Sequence, residues 1–342
     1  MSMRINKKLV VYCIILLMGL LNIVSCRQKK EIYQPNDCIK IGLLLDSFIE
    51  QRWYWDKNFF KEAAEALGAE VKVHISASDT LLQLEQAKKL IGSNIDVLVT
   101  VPTNMNAAAK IVDLAHKKNI KVIAYDKLIK NCDLDFYIGF DNEEIGRLQA
   151  SYLIRLVPSG NYVVLGGAPV DDNSYTIKKS QIAFLSPFIK AKKLNIISDQ
   201  WVIDNKPEEA ARHIRNAILQ YKTIDAVLVH NDSIANAVEE VLAEYGLVGK
   251  VPITGQDAEI LALNRIKNGK QCMTIYKPID ELAAKAAEVA INFAKGKTFP
   301  VDTYIDNGKS KIPSIIYPVQ LVDKENIDEI LKNSYFSRIN NY

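Results

Sequence analysis

Several polar residues in this 342-residue chain come directly after runs of apolar residues, where they could contact a small polar ligand. Asp46, Asp126, Asn231 and Asp257 each follow a short aliphatic or β-branched run. Carboxylate and amide groups accept and donate hydrogen bonds, so together they suit a ligand rich in hydroxyl groups. The alternative for each residue is that it caps the next helix.

The elements that would position these residues alternate between strand and helix from Cys38 onward. Ile39–Leu45 is predicted to be a strand, and Trp53–Leu67 a helix that ends at Gly68. The same alternation restarts after residue 142. It predicts an α/β protein with two doubly wound parallel sheets. Because ligands bind beyond the carboxyl ends of parallel strands, polar residues from both halves are expected to face one cleft.

Motifs for other chemistry are missing from the sequence. Gly166-Gly167-Ala168 follows a predicted strand but lacks both the dinucleotide and the P-loop spacing. There is no G-x-S-x-G, no H-E-x-x-H and no C-x-x-C, so we predict no catalytic residues, no metal site and no cofactor. His230 ends a predicted strand and either lines the cleft or packs in the core or rim. These patterns favour binding over catalysis.

The overall charge excludes partners that are held by electrostatics alone. The chain has 43 basic and 40 acidic residues, and three of the basic ones, Arg4, Lys7 and Lys8, precede residue 26. Without that segment 40 basic residues face 40 acidic ones. A near-neutral chain has no basic surplus with which to bind nucleic acid or anionic headgroups.

The first 26 residues have the pattern of an export signal. Three basic residues precede an apolar run over residues 9–21, which is short for a membrane span. The run leads into Cys26, as in bacterial lipoprotein signals, so cleavage before Cys26 and its lipidation are predicted. An uncleaved helical anchor is the alternative. Residues 27–37 are polar and are predicted to be a tether. Cys132 and Cys272 are predicted to be ordinary thiols, and a bridge from Cys38 stays open.

Ten stretches in order along the chain resemble the periplasmic sugar-binding proteins of ABC importers, of the ribose/xylose type. They are IGLLLD (41–46), QRW (51–53), IDVLVTVPTN (95–104), IKVIAYDKLI (120–129), DFYIGFDNEEIG (135–146), GNYVVLGGAPVDDN (160–173), SDQWV (198–202), IDAVLVHND (224–232), GKVPITGQDA (249–258) and MTIYKP (273–278). The resemblance implies the periplasmic-binding-protein type I fold, with two lobes joined by a three-crossing hinge near Asp141, Asp257 and Pro300. One lobe would comprise residues 38–141 plus 258–299, and the other 142–257 plus 300–342.

The resemblance also implies which residues contact the sugar. These are Asp46, Arg52, Trp53, Asp126, Asn173, Trp201, Asn231, Asp257 and Lys277. The indole rings would cover the C–H faces of a pyranose, while the carboxylates accept from its hydroxyls. The alternatives are core packing for the tryptophans, an interdomain ion pair for Arg52 and Asp257, and a turn for Lys277. The chain departs from the family pattern at Lys127, Asp172 and His230.

The function implied is an extracytoplasmic lipoprotein that binds a monosaccharide and passes it to a membrane ABC permease. A pentose, D-xylose above all, is the favoured ligand, and a monomer is expected at the periplasmic or cell-surface side of a membrane. Two alternatives stay open. One is a sensor that signals to a receptor kinase, and the other is a sugar-processing enzyme. An exported body argues against a DNA-binding repressor of similar core fold.

Overall fold

Strands and helices alternate through residues 38–339, the part of the protein that its computed structural model describes. The first group contains β1 (Ile39–Leu45), α1 (Arg52–Ala66), β2 (Ala69–Ile75), α2 (Thr80–Ile91), β3 (Val97–Thr100), α3 (Ala109–His116), β4 (Lys121–Tyr125) and β5 (Phe136–Phe140). The second contains α4 (Asn142–Leu156), β6 (Gly160–Gly166), α5 (Asp172–Lys190), β7 (Leu194–Trp201), a 3₁₀ turn (Ile203–Asn205), α6 (Pro207–Gln220), β8 (Ala226–Val229) and α7 (Asp232–Glu244). The last contains α8 (Ile260–Lys267), β9 (Met273–Tyr276), α9 (Ile279–Ala294), β10 (Thr303–Asp306), β11 (Lys311–Tyr317), β12 (Gln320–Asp323), α10 (Ile327–Ile330) and α11 (Ser334–Ile339).

Two sheets define two lobes. The first lobe is built on seven strands in the order β10-β11-β5-β4-β3-β1-β2, and the second on three strands in the order β7-β6-β8. All pairs within them are parallel except β10 with β11. The α/β class and the tandem parallel sheets predicted from the sequence are therefore confirmed.

Both sheets are covered by helices on their two faces, which explains why their strands are almost continuously apolar. In β1, Leu43 and Leu45 pack in a core with α1 and α9, whereas Leu44 packs with α2 and α3. In β6, Val163 and Tyr162 divide in the same way between two cores of the second lobe. The alternation of side chains along a strand produces this division.

Helix starts fix the geometry at several strand ends. The Asp79 carboxylate accepts from the backbone of Leu81 and Leu82 at the start of α2. Asp141 and Asn231 cap α4 and α7 in the same way. Such caps satisfy backbone N–H groups that have no partner within the helix, so the chain turns sharply between strand and helix.

The third crossing between the lobes differs from the expectation. We predict it near Pro300, with residues 300–342 in the second lobe. Instead β11 pairs in parallel with β5 and β10 extends the sheet, so the chain stays in the first lobe up to Tyr317. Beyond β12, Ile327 and Phe336 are also buried in the core of the first lobe. That assignment of residues 300–342 is wrong.

The predicted signal segment, Cys26 and the tether lie outside the described residues. Within residues 38–339, no helix is both long and apolar enough to cross a membrane. Cys38, Cys132 and Cys272 are free thiols, so the bridge from Cys38 is not formed.

Candidate ligand-binding site

The two lobes meet at the carboxyl ends of their strands and enclose a polar cavity. Each of its lining side chains carries a charge, an amide or a ring. They are Glu50, Arg52, Trp53, Asp126, Lys127, Asp171, Asn173, Asn205, His230, Asn231, Gln256, Asp257 and Lys277. The position agrees with the rule that open parallel sheets bind ligands beyond these strand ends.

Arg52, the first residue of α1, is the central cation of the cavity. Its Nε and Nη2 atoms lie 3.0 and 3.1 Å from the two carboxylate oxygens of Asp56. Its Nη1 atom is 3.0 Å from Oδ1 of Asp126 and 3.7 Å from Oδ1 of Asp257. Burial alone would lower the pKa of Arg52, but these carboxylates raise it, so the guanidinium stays charged. The planar guanidinium holds its N–H donors in fixed directions, so this one side chain can orient the carboxylates of Asp56 and Asp126 together.

Asp126 connects the first lobe to the second. Its Oδ2 accepts from Nδ2 of Asn173 at 2.9 Å, and Oδ1 of Asn173 accepts from Nδ2 of Asn142 at the same distance. Burial raises the pKa of Asp126, but Arg52, Lys277 and Lys127 together hold it below its ordinary value. Asp126 therefore acts as an ionised acceptor.

Asp257 and Lys277 form a second charged pair next to Arg52. Their Oδ1 and Nζ atoms are 2.6 Å apart, and both side chains are buried. Asp257 has a φ of 100° and the next residue, Ala258, a φ of 50°. Left-handed backbone costs about 1–3 kcal/mol for a residue with a side chain. The chain accepts this strain where it crosses between the lobes and places a carboxylate in the cavity.

Lys127 binds a carboxylate from each lobe. Its Nζ lies 3.0 Å from Asp46 in the first lobe and 3.1 Å from Asp171 in the second. Burial lowers the pKa of Lys127, but these carboxylates, with Glu50, raise it well above its ordinary value. Lys127 therefore acts as a point charge between the lobes.

Trp53 supplies an apolar face among these charges. The ring is buried, with the guanidinium carbon of Arg52 4.3 Å from its centroid and Nζ of Lys127 at 5.5 Å. Its Nε1 donates to Oε2 of Glu50 at 3.0 Å. Such a ring can cover the C–H face of a sugar at little entropic cost.

Seven of the nine residues expected to contact a sugar line the cavity together. They are Arg52, Trp53, Asp126, Asn173, Asn231, Asp257 and Lys277. Asp46 lines a neighbouring depression instead and touches the cavity through Lys127. Asn231 serves as a helix cap and as a lining residue, so the two interpretations of its role do not exclude each other.

Trp201 does not reach the cavity, which corrects the expectation. Its ring stacks on Tyr175 with centroids 6.5 Å apart and an interplanar angle of 5°. Nζ of Lys178 lies 4.0 Å above it. The residue at the end of β7 therefore packs against α5, and Trp53 is the one tryptophan, tyrosine or phenylalanine among the lining residues.

Several lining residues are absent from the set expected from the sequence. Glu50 lies two positions before Arg52, Asn205 ends the 3₁₀ turn, and Asp171 caps α5. Asp171 could have been found from its capping position, whereas Glu50 and Asn205 carry no local signal. His230 does line the cavity, and burial lowers its pKa to about 4, so its imidazole is neutral at pH 7.

This set of groups is arranged for hydrogen bonding to a polar, uncharged molecule. Four carboxylates face three cations, and amides fill the remaining wall. The lining residues include no serine, cysteine or threonine that a neighbouring base could activate. Within the described residues, no cluster of His, Cys, Asp and Glu is arranged to hold a metal ion.

Comparison with known proteins gives relatives along most of the chain. Residues 41–298 match the family model of the periplasmic binding protein domain. The D-xylose-binding periplasmic protein of Haemophilus influenzae is 41% identical over 88% of this chain and 91% of its own length. The protein of the same name from Escherichia coli is 40% identical over 87% and 91%.

Solved structures with the same fold include two sugar complexes. A solute-binding protein from Clostridium phytofermentans with bound beta-D-glucose has a TM-score of 0.81 and 26% identity, and covers 86% of this chain and 97% of its own. A carbohydrate transporter solute-binding protein from Chloroflexus aurantiacus in complex with D-glucose has a TM-score of 0.80 and 26% identity, covering 87% and 96%. The resemblance seen in the sequence is confirmed: the chain belongs to the periplasmic binding protein family and is similar over most of its length to two D-xylose-binding periplasmic proteins.

Proposed function

We propose that this protein binds one neutral monosaccharide, D-xylose before others, between its two lobes and delivers it to an ABC importer. Two relatives at about 40% identity are named D-xylose-binding periplasmic proteins, which supports the choice of ligand. The observation that carries the proposal is the cavity itself. It combines the Trp53 ring with charged hydrogen-bonding groups from both lobes.

A sugar would use these groups in complementary ways. One apolar face would lie on Trp53, while adjacent hydroxyls donate to the carboxylates of Asp126 and Asp257. The cations Arg52 and Lys277 would donate to hydroxyl or ring oxygens. Hydrogen bonds to charged groups are roughly twice as strong as neutral ones, so a missing hydroxyl would leave a buried charge unpaired. This favours a fully hydroxylated ligand.

Calorimetry with a panel of sugars tests the ligand. D-xylose, L-arabinose, D-ribose, D-glucose and D-fructose are titrated into the purified protein, with D-xylonate as a matched control. We expect D-xylose to bind tightest and D-xylonate at least about tenfold more weakly, because its carboxylate meets a cavity in which acids outnumber cations. No heat with any sugar would refute sugar binding, and a tighter hexose would change the ligand assigned. Recovery of the sugar unchanged after incubation separates binding from the enzyme alternative.

The membrane anchor is a separate part of the proposal. It rests on Cys26 at the end of the apolar leader. We expect the wild type in the membrane fraction and Cys26→Ala in the soluble extracytoplasmic fraction. Cys38→Ala, which changes the next cysteine along the chain, is the matched control and should leave the membrane fraction unchanged. A membrane-bound Cys26→Ala variant would favour the uncleaved helical anchor.

Uptake of labelled sugar distinguishes an importer subunit from a sensor. Cells that lack this protein should lose high-affinity uptake of the bound sugar and regain it with the wild-type gene. Unchanged uptake, together with a loss of sugar-induced transcription, would support the receptor-kinase alternative.

A further inference from the structure

We propose that Glu50 is a positioning residue that ties the Trp53 ring to the opposite lobe through Asn205 when the lobes close. The proposal deepens the sugar-binding function above and rests on it. Glu50 belongs to the first lobe, just before α1, and Asn205 belongs to the second, just before α6. Both side chains are buried.

A single carboxylate serves both lobes. Oε2 of Glu50 accepts from Nε1 of Trp53 at 3.0 Å, and Oε1 accepts from Nδ2 of Asn205 at 2.7 Å. Oδ1 of Asn205 in turn accepts from the backbone N–H of Ala168 at 2.7 Å, within its own lobe. The indole N–H is thereby linked to the backbone of the second lobe by three consecutive hydrogen bonds.

The backbone around Asn205 is held in an unfavourable conformation. Asp204 and Asn205 have φ values of 54° and 55°, two consecutive residues in the left-handed region. Asparagine tolerates this region better than most residues, but the conformation persists only where the surroundings fix it. Here the Asn205 amide is held at both ends, so the bond to Glu50 helps to stabilise the turn.

The chemistry of the link requires a group that only accepts. Trp53 and Asn205 both present N–H donors to Glu50, and an ionised carboxylate has an acceptor oxygen for each. A glutamine has one acceptor and one donor, so it can satisfy only one of the two. Burial raises the pKa of Glu50 above its ordinary value, and the positive charge of Lys127 offsets only part of this rise.

Exchanging the donor and the acceptor tests the link. In Glu50→Gln, the N–H group of the new amide points at the N–H group of either Trp53 or Asn205, so one of the two hydrogen bonds is lost. In Asn205→Asp, two carboxylates face each other. In the double variant the amide of Gln at position 50 can donate to Asp at position 205 and still accept from Trp53, while Asp at position 205 still accepts from Ala168. All hydrogen bonds are restored with the net charge unchanged.

The readouts are the affinity for the sugar that binds wild type best and the hydrogen exchange of segments 166–169 and 203–206. We expect a loss of affinity of about tenfold for Glu50→Gln and more for Asn205→Asp, because a buried donor or charge is left unpaired. The double variant should return to within about threefold of wild type. Exchange of both segments should rise in the single variants and fall again in the double variant.

Two results would overturn the proposal. The first is that both single variants have the same sugar affinity and the same hydrogen-exchange rates as the wild type. The second is that the double variant binds the sugar as weakly as the weaker single variant, which would show that Glu50 and Asn205 act independently. If wild type binds no sugar of the panel, the proposed function fails, and the exchange rates of the ligand-free variants still decide whether the link exists.

Discussion

Replacing Asp126 by asparagine would test the carboxylate that joins the lobes beside the ligand cavity. The change keeps the shape of the side chain and removes its charge and one of its two acceptor atoms. In the wild type, one oxygen pairs with Arg52 and the other accepts from Asn173. An asparagine can accept from only one of them, and it offers the ligand a neutral carbonyl in place of a charged oxygen.

The expected loss of affinity follows from these contacts. A hydrogen bond to a charged group contributes roughly 1.5–3 kcal/mol against roughly 0.5–1.5 kcal/mol for a neutral one. Two ligand hydroxyls bound by Asp126 would together lose about 2–3 kcal/mol. This corresponds to an affinity about 30- to 160-fold weaker.

The folded state should change much less than the affinity. Arg52 keeps both hydrogen bonds to Asp56 and the nearby charge of Asp257. The substitution also leaves three carboxylates against three cations among the lining residues. We therefore expect the free energy of unfolding to fall by only about 1 kcal/mol.

Calorimetry and thermal melts followed by circular dichroism measure these two effects. The matched control is Asp133→Asn, the same chemical change at a side chain that is 66% exposed and paired only with Lys309 at the surface. It should bind sugar as the wild type does. A direct role of Asp126 in binding is refuted if Asp126→Asn binds within threefold of wild type, or if its melting temperature falls enough to explain the weaker binding by unfolding.

The pH dependence provides an independent check of the same group. Because the pKa of Asp126 in the folded protein lies below its ordinary value, its ionised form favours the native state. Its contribution to stability is present above about pH 4 and is lost as the pH falls through the folded pKa. Affinity should therefore be constant between pH 5 and 8 as far as Asp126 is concerned.

Three further predictions concern the neighbours of this carboxylate. Lys127→Met should lower the free energy of unfolding in urea by about 3 kcal/mol, because the two buried carboxylates that it pairs lose their cation; a change below about 1 kcal/mol would contradict this. Trp53→Ala should weaken sugar binding at least about tenfold, because its ring lines the cavity. Trp201→Ala should leave the affinity measured by calorimetry within about twofold of wild type, because its ring packs on Tyr175 instead. Equal losses of affinity in the two variants would show that Trp201 also contacts the sugar. Burial lowers the pKa of His230 from 6.5 to about 4, so the unfolded chain binds a proton that the folded protein does not between those values. Stability should therefore fall by about 3 kcal/mol as the pH drops from 6.5 to 4, and His230→Gln should remove that part of the slope in urea melts at several pH values.

The sequence predicts the central part of the fold well, because buried parallel strands are short apolar runs that local composition reveals. The strand at Ile39–Leu45 has the predicted bounds. The last part was harder to predict. β10 and β11 form an antiparallel pair that contains Pro313 and joins the sheet next to β5, where partner residues such as Ser314 and Tyr137 are 177 positions apart in the sequence. Pairing at such a distance leaves no local pattern, so the third crossing was misplaced.

The error at Trp201 has a specific structural cause. Along β6 and β7, Tyr162 pairs with Ile196 but Val163 pairs with Ser198, so β7 contains one extra residue at this point. A bulge of this kind reverses which face of the sheet the following side chains occupy. Trp201 consequently packs with Tyr175 of α5. The expectation for Trp201 rests on the resemblance of the SDQWV stretch, which does not reveal such an insertion.

The contacts between the lobes also bear on how tightly a ligand can be held. Some of them, such as Lys127 with Asp171 and Lys130 with Asp172, join the lobes without requiring a sugar. Under the proposed closure of the lobes around a ligand, each such contact would favour the closed form before any ligand arrives, and apparent affinity would rise in proportion to the closed fraction. A ligand can shift the equilibrium further only through groups that it contacts better in the closed state. Affinity would therefore depend on interlobe contacts outside the cavity, such as Lys130 with Asp172, as well as on the cavity itself, whereas selectivity between sugars depends on the cavity alone.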